Sequence, residues 1–522
     1  MLSFSAVVAF APRPHLVTIL ADDLGWHDTS IRNPNAPTPT IANLSASGLL
    51  LERHYTFRFC SPSRRSFLSG RSPLAITTVQ PDGDHTCSDF LPLATTTIAE
   101  KLTSVGYACH FIGKGHLGYQ TTDHLPANRG FASHVGYLLG AEKYEHGCLA
   151  GSGACSADPS TGAHDFWEND APATSEVPRV EYSADYYAGR AVSLIEAHPT
   201  ASPLFLFLAL QNVHAPYELP PAWQVRDYPA MGAKFHVYAN MLALLDDAVA
   251  NVTAALRRAS LYDNTLLLFS ADNGGTLTYG NNFPLMGHKH DAWEGGSRVT
   301  AFLAGGFLPP SLRGATTHKL VHIADWYPTL CNLGGADPAD APVIGGAPRP
   351  IDGVDVWPLL TGAVSEQPRP LTVITEVSAI EVEAGGGAYW KLVQLAGQSN
   401  RYTPEGDQLN GSLPCLEKWQ ADPPQPGRTD ALVNGPAHDE KENRCAVHNA
   451  TRPGLYELLS DPTETTNVAD AHPEIVSRLA AAIAKANAGA YVTGSLDNTT
   501  LARYTKLAPG HWGGFTGPCY AR

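Results

Sequence analysis

The chain has 522 residues, 43% of them hydrophobic and only 16% charged, enough to bury a large core as one big unit with a smaller one, or as two. A net charge of −15 argues against nucleic acid or an anionic membrane surface as a partner, and it requires any anionic substrate to be met by a local basic cluster. No apolar run reaches the ~18–20 residues of a membrane span.

Leu2 to Ala11 ends in Ala9-Phe10-Ala11, a signal-peptide-like cleavage pattern without the usual basic start, so residues 1–11 read as a short or incomplete signal peptide. His15 to Leu20 is a short β-branched apolar run suited to a strand buried on both faces, and it delivers Asp22 and Asp23 at its carboxyl end. Taken alone, Asp-Asp after a strand reads as a turn with a helix cap. The pattern recurs, however: Tyr107 to Ile112 opens into Gly113-Lys114-Gly115-His116, Leu204 to Leu210 into Gln211-Asn212-Val213-His214, and Thr265 to Ser270 into Asp272-Asn273. Ligands gather at the carboxyl ends of strands in open parallel sheets, so four such strands in one sheet would bring these groups to one rim.

Between the strands, Thr38 to Gly48, Leu93 to Gly106, Ser183 to Ala197 and Tyr238 to Ala259 carry helical patterns, which gives an α/β unit with a mostly parallel sheet covered by helices. Asn281 to Arg298 is a glycine-bearing stretch suited to a loop passing close to a ligand, and it contains Lys289. His322 to Leu333 reads as an amphipathic core helix, and Asp352 to Leu360 as a closing segment of this unit. Past Ser365 the composition loosens. Leu371 to Val377, Ala388 to Leu395 and Leu455 to Leu459 suggest a small antiparallel sheet, followed by a helix from Pro473 to Asn487. The expected organisation is therefore a catalytic unit at 12–365 and a smaller C-terminal α+β unit at 366–522.

One stretch organises the rest. In Cys60-Ser61-Pro62-Ser63-Arg64, Pro62 suits a first helical turn, Ser61 a cap and Gly70 a stop, which sets Cys60 just ahead of a helix N-terminus. Such a place is electropositive and favours a nucleophile or an oxyanion, although a lone Cys-Ser-Pro is more often a buried structural cysteine. Asp22, Asp23, Asp272 and Asn273 form an all-oxygen set that suits calcium or magnesium and lacks the thiolate and imidazole pattern of zinc. Arg64, Lys114 and Lys289 supply the basic cluster the net charge demands, and His116 and His214 supply proton transfer near neutral pH.

Cys60-Ser61-Pro62-Ser63-Arg64 followed by Gly70-Arg71 resembles the signature of the type I sulfatases. That resemblance implies an alkaline-phosphatase-like sulfatase fold and hydrolysis of sulfate esters, with Cys60 oxidised to formylglycine by the formylglycine-generating enzyme. One hydroxyl of the hydrated aldehyde attacks sulfur and the other later expels sulfate. It further implies one divalent cation, calcium ahead of magnesium, held by Asp22, Asp23, Asp272, Asn273 and position 60. By the same similarity Arg64 and His116 hold the formylglycine hydroxyls, Lys114 bridges nucleophile and sulfate, and Lys289 with His214 contacts sulfate and the leaving oxygen. His214 is the candidate general acid. Leu208 to Gln211, Asn251 to Leu256, and Leu455-Tyr456-Glu457-Leu458 with Asp461-Pro462-Thr463-Glu464 extend the likeness, which is nearest to the arylsulfatase B (N-acetylgalactosamine-4-sulfatase) group and implies a sulfated sugar as substrate. Gly115 departs from the family's usual Trp and His27 from its usual Asn, which bears on pocket shape. A phosphomonoester or phosphodiester hydrolase of the same superfold would want Ser or Thr at position 60 and ligands for a second metal; a catalytically silent binding glycoprotein would show damage at the metal or nucleophile positions.

Of the eight other cysteines, Cys148 and Cys155 flank a Gly-rich loop, Cys415 and Cys445 would close a Pro-rich one, and Cys109 and Cys331 lie in apolar surroundings as free cysteines do. The resemblance suggests Cys87 with Cys519 as a clasp. Sequons at Asn43, Asn251, Asn410, Asn449 and Asn498 add to a secretory-pathway reading, lysosomal or extracellular. No nucleic-acid partner and no membrane span are expected.

Overall fold

The computed structural model describes residues 13–76, 90–149, 158, 164–231, 235–276, 279–340, 350–394, 453–490, 505–506, 511–513 and 515–521. In the first 340 residues the strands are β1 (His15–Ala21), β2 (Leu49–Leu51), β3 (His54–Tyr55), β4 (Ala108–Lys114), β5 (Ser133–Tyr137), β6 (Trp167–Glu168), β7 (Ala171–Pro172), β8 (Leu204–Ala209), β9 (Thr265–Ala271), β10 (Ala301–Ala304), β11 (Ala315–Thr317) and β12 (Val321–His322). β3 and β12 pair with each other, and the others form one ten-stranded sheet in the order β11-β2-β10-β9-β1-β8-β4-β5-β6-β7. Its centre, β9-β1-β8-β4-β5, is parallel, with Ile19 of β1 opposite Leu208 of β8 and Phe269 of β9. The flanking β10 and β6 run antiparallel.

Alternation along β1 explains why the run is apolar throughout. Val17 and Ile19 face a core shared with the helices Ser183–Ala197 and His236–Arg258, while Leu16 and Leu20 face Phe67, Ile98, Leu102 and Trp326 of helices on the other side. By length and composition His236–Arg258 could cross a membrane, but Leu242, Leu245, Val249, Val252 and Leu256 are fully buried in the first of these cores.

Strand ends differ from expectation where they matter for chemistry. β4 runs on to Lys114, past the expected end at Ile112, because Gly113 adopts φ +98° and a Cβ there would lie 2.0 Å from the Ala209 carbonyl oxygen of β8. The helix expected from Leu93 starts only at Ile98, where Thr97 and Glu100 form a reciprocal capping box.

A separate antiparallel sheet contains β13 (Leu371–Thr375), β14 (Ser378–Val382), β15 (Tyr389–Val393) and β16 (Gly454–Glu457), in that order. The sequence reading missed β14 because Leu371 to Val377 looked like one uninterrupted strand; the chain instead turns back after Thr375. The helix Pro473–Ala488 covers one face of this sheet, Leu479 and Ile483 packing on Ala379, Leu392 and Leu455. Residues 515–521 run back to the large sheet: Thr516 donates its N–H to the His164 carbonyl at 3.0 Å, and Trp167 Nε1 donates to the Thr516 carbonyl at 2.7 Å.

Cys109 and Cys331 are free and buried, and Cys148 and Cys519 are disulfide-bonded. Cys155 and Cys87, the partners suggested for them, lie outside the described residues, as do Cys415, Cys445, the N-terminal signal-like stretch and the sequons at Asn410, Asn449 and Asn498.

Candidate active site

The helix Cys60–Ser69 begins at Cys60 itself, so the cysteine is the first helical residue and not the residue before it. Ser61 makes no cap; Phe59 precedes the helix in extended conformation, and the Ser63 hydroxyl accepts from the Phe57 N–H at 2.9 Å. Gly70 ends the helix as expected, in the left-handed region at φ 72°. Two lysines converge on this N-terminus. Lys289 Nζ lies 3.4 Å from Cys60 Sγ. Burial pushes the Cys60 thiol up, but the Lys114 and Lys289 cations, joined by hydrogen bonds from His116 and His214, hold it well below the usual thiol range.

The four strand ends do meet at one rim. Asp22 and Asp23 follow β1, Lys114 ends β4, His214 follows β8, and Asp272 and Asn273 follow β9. Lys114 Nζ bonds Asp22 Oδ2, Arg64 Nε bonds Asp272 Oδ2 at 2.8 Å, and Arg64 Nη2 lies 3.3 Å from Asp22 Oδ2. Lys289 Nζ is 2.6 Å from Asp23 Oδ1, which also accepts from Asn273 Nδ2 at 2.7 Å. Burial and the Asp22 charge push the Asp272 carboxyl up to about 7; burial acts the same way on Asp22, but Lys114, His214 and Arg64 together outweigh it and hold that carboxyl low.

The carboxylates are nevertheless incompletely satisfied. Asp22 Oδ1, Asp272 Oδ1 and Asn273 Oδ1 are buried without a hydrogen-bond partner. Three orphaned oxygens on two neighbouring strand ends are costly unless something neutralises them, and hard oxygen donors of this kind fit a calcium or magnesium ion. Asp22, Asp23, Cys60 and His214 also present ligand atoms within 4.8 Å of one another, so position 60 belongs to the same cluster.

His214 Nε2 lies 3.7 Å from Asp23 Oδ2, and its Nδ1 is 2.5 Å from the Ala215 carbonyl oxygen. Burial and Lys289 pull its pKa down, but Asp23 and Asp22 prevail and raise it. Asp23 and His116 both hold positive φ, 57° and 55°, a conformation that non-glycine residues rarely adopt and that concentrates at functional sites. Every residue singled out from the sequence thus lies in this one cluster.

Residues 14–336 match the sulfatase family. The chain belongs to that family. It is 33% identical to mouse arylsulfatase J over 484 residues, 91% of this chain and 76% of that protein, and 27% identical to mouse N-acetylgalactosamine-6-sulfatase over 385 residues, 69% of each. The PsFucS1 sulfatase from Pseudoalteromonas sp. shares the fold, with a TM-score of 0.65 at 19% identity over 91% of this chain and 90% of its own. The α/β sulfatase architecture and the hydrolysis of sulfate esters follow from that membership.

In this sulfatase Cys60, His116, His214 and Lys289 of the cluster line a cavity of about 600 Å³. Other lining residues were not singled out from the sequence: Tyr119, Leu139 and Leu149 form apolar wall, His290 follows Lys289, and Thr516 comes from a distant segment. None carries a motif, and Thr516 reaches the cavity only because the C-terminal residues return to the large sheet. Gly115, where the family usually carries Trp, lies close against β5. A Cβ there would stand 2.9 Å from the Tyr137 carbonyl oxygen, so β5 backbone occupies the place.

Proposed function

We propose that this chain hydrolyses sulfate esters of sugars through a formylglycine made from Cys60, with one calcium ion held by Asp22, Asp23, Asp272 and Asn273. The observation that carries the proposal is the juxtaposition of Cys60 and Lys289, which line one cavity, with a buried cluster in which Asp22, Asp272 and Asn273 each keep a partnerless oxygen. Bound there, calcium supplies Lewis-acid polarisation of a sulfate oxygen, and formylglycine supplies a diol hydroxyl as nucleophile.

The chain's own residues do the rest. Lys289 and Lys114 neutralise the sulfate and the charge that grows on its oxygens, a task made effective by burial. Arg64 is tied to Asp272 and Asp22 and so fixes both the carboxylates and the helix that bears position 60. His116, beside the same position, orients the hydroxyls there. His214 lines the cavity with Nδ1 engaged with backbone and Nε2 3.7 Å from Asp23 Oδ2, and we assign it delivery of a proton to the departing alcohol oxygen. We assign residues 12–365 to the catalytic unit and 366–522 to a smaller α+β unit, a division supported by the separate sheet β13–β16. A sulfated amino sugar is the substrate class we favour, in keeping with the name of the 27% identical relative and with the likeness to the arylsulfatase B group; the secretory pathway, in a lysosomal or extracellular setting, is the compartment.

The test is peptide mass spectrometry across position 60 on protein made together with the formylglycine-generating enzyme, paired with sulfate release from an aryl sulfate. Formylglycine at 60 with calcium-dependent release is the expected result; modified, calcium-loaded protein that releases nothing would sink the proposal.

A further inference from the structure

Lys289 and His290 reach the cavity from a stretch with little regular structure: one short helix, Glu294–Ser297, follows them. His290 moreover holds φ +77° without being a glycine. Something outside the stretch must hold it, because a left-handed non-glycine residue persists only where its surroundings over-determine it.

Three contacts do so, and each leads to the small sheet. Arg58 donates Nη1 to the His290 carbonyl and accepts the His290 N–H at 2.7 Å, and its guanidinium is paired with Glu376, next after β13, with both side chains almost completely buried. Ala292 and Trp293 pack in a core with Ile374, Ile380 and Tyr456, the Trp293 and Tyr456 rings 5.6 Å apart. Glu294 then enters a sealed ion cluster. Its Oε1 is 2.9 Å from Lys391 Nζ of β15, its N–H donates to Glu464 Oε2 at 2.7 Å, and Lys391 Nζ is 2.8 Å from Glu464 Oε1, all three side chains being 0% exposed. The other groups facing Glu294 are Tyr55, whose hydroxyl donates at 2.8 Å, and Arg298 at 3.5 Å.

We infer that Glu376, Lys391 and Glu464 are positioning residues for the sulfate site: the small sheet sets where Lys289 and His290 stand. The inference rests on the sulfatase reading of Lys289 as a sulfate contact. A buried ion cluster is a poor way merely to glue two bodies together, since well-packed apolar residues would stabilise as much or more; what it adds is a fixed geometry. Here the fixed element is the backbone from His290 to Glu294, directly after Lys289. Glu464 belongs to Asp461-Pro462-Thr463-Glu464 and Lys391 to β15, so the inference also gives these residues a task that the chemistry at the rim does not.

The experiment uses the full chain and two isosteric variants, Glu464→Gln and Glu376→Gln, each of which keeps shape and removes the charge facing Lys391 or Arg58. Inorganic sulfate binding is measured by calorimetry, KM and kcat on an aryl sulfate, and stability by urea unfolding. In folded variants the sulfate Kd and KM should rise together by about threefold to tenfold, well inside the ~100-fold that a 1 Å misplacement can cost. A purely structural role would lower stability and the active fraction while leaving Kd and KM as in the unaltered chain, and that result overturns the inference. If Glu464→Gln does not fold, Lys391→Arg, which keeps the charge but shifts the donors, is read by the same constants. An unaltered chain that binds sulfate yet releases none from the ester removes the sulfatase reading, while the Kd comparison still decides the positioning; a chain that binds no sulfate removes both.

Discussion

At the rim of the large sheet Asp22, Asp23 and Asp272 face Arg64, Lys114 and Lys289, and beneath the small sheet Glu294 and Glu464 face Lys391 and Arg298. Both clusters are almost wholly out of water, and both pair carboxylates with lysine and arginine. They differ in closure. The lower one has no face on the cavity, and each carboxylate there meets a cation or a hydrogen-bond donor. The upper one reaches the cavity through Lys289, beside Cys60, His116 and His214, and leaves Asp22 Oδ1, Asp272 Oδ1 and Asn273 Oδ1 without partners. Identical residue types therefore make a brace in one place and a candidate reactive centre in the other, and the distinguishing feature is that only one of the two clusters has members lining the cavity.

The contrast can be broken most sharply at position 60. Cys60→Ala should abolish sulfate release, a loss on the order of 10⁴-fold or more, while urea unfolding stays near that of the unaltered chain, because the rim's ion pairs do not need the sulfur. At the brace the pattern should reverse. Lys391→Met leaves Glu294 and Glu464 buried without their shared cation and should destabilise folding by about 3–5 kcal/mol, read from the urea midpoint. Asn273→Ala removes one of the orphaned oxygens. It should raise the calcium concentration needed for half-maximal activity by at least the ~10–100-fold that loss of an outer-shell partner costs, with little effect on unfolding in chelator.

The smallest effect lies behind the rim, at Asp165. Burial pushes this carboxyl up to about 7, although Leu138 and Leu139 donate their N–H groups to it at 3.0 and 2.7 Å. A carboxyl whose folded pKa is raised holds a proton that the unfolded chain has released, so its contribution to stability is full below about pH 4 and is lost as pH rises to about 7. Asp165→Asn keeps an acceptor and removes the charge. Its melting temperature should therefore fall less than that of the unaltered chain between pH 4 and 7, a difference visible in melting curves across that range.

Local sequence carried much of this arrangement. β-Branched apolar runs such as His15 to Leu20 can be buried only on two covered faces, and the polar groups directly after each run had to lie at the strand's carboxyl end, which is why Asp22, Lys114, His214 and Asp272 could be named without coordinates. The Cys60 motif and the Gly70 stop were equally local, since helix ends are set by a few consecutive residues. The start of that helix was not: Ser61 does not cap it, the helix begins at Cys60, and Phe59 enters it in extended conformation.

What the tertiary structure alone decided is how distant segments share one cavity. Nothing in Thr516 marks it as a wall of the site, and nothing in Lys391 marks it as the counter-charge of Glu294, 97 residues away. Such pairings depend on strand order and on where the chain returns, which periodicity does not encode. Chemistry was therefore written in short motifs at strand ends, whereas the shape around it, and the brace that holds Lys289, were fixed only when the two sheets packed together.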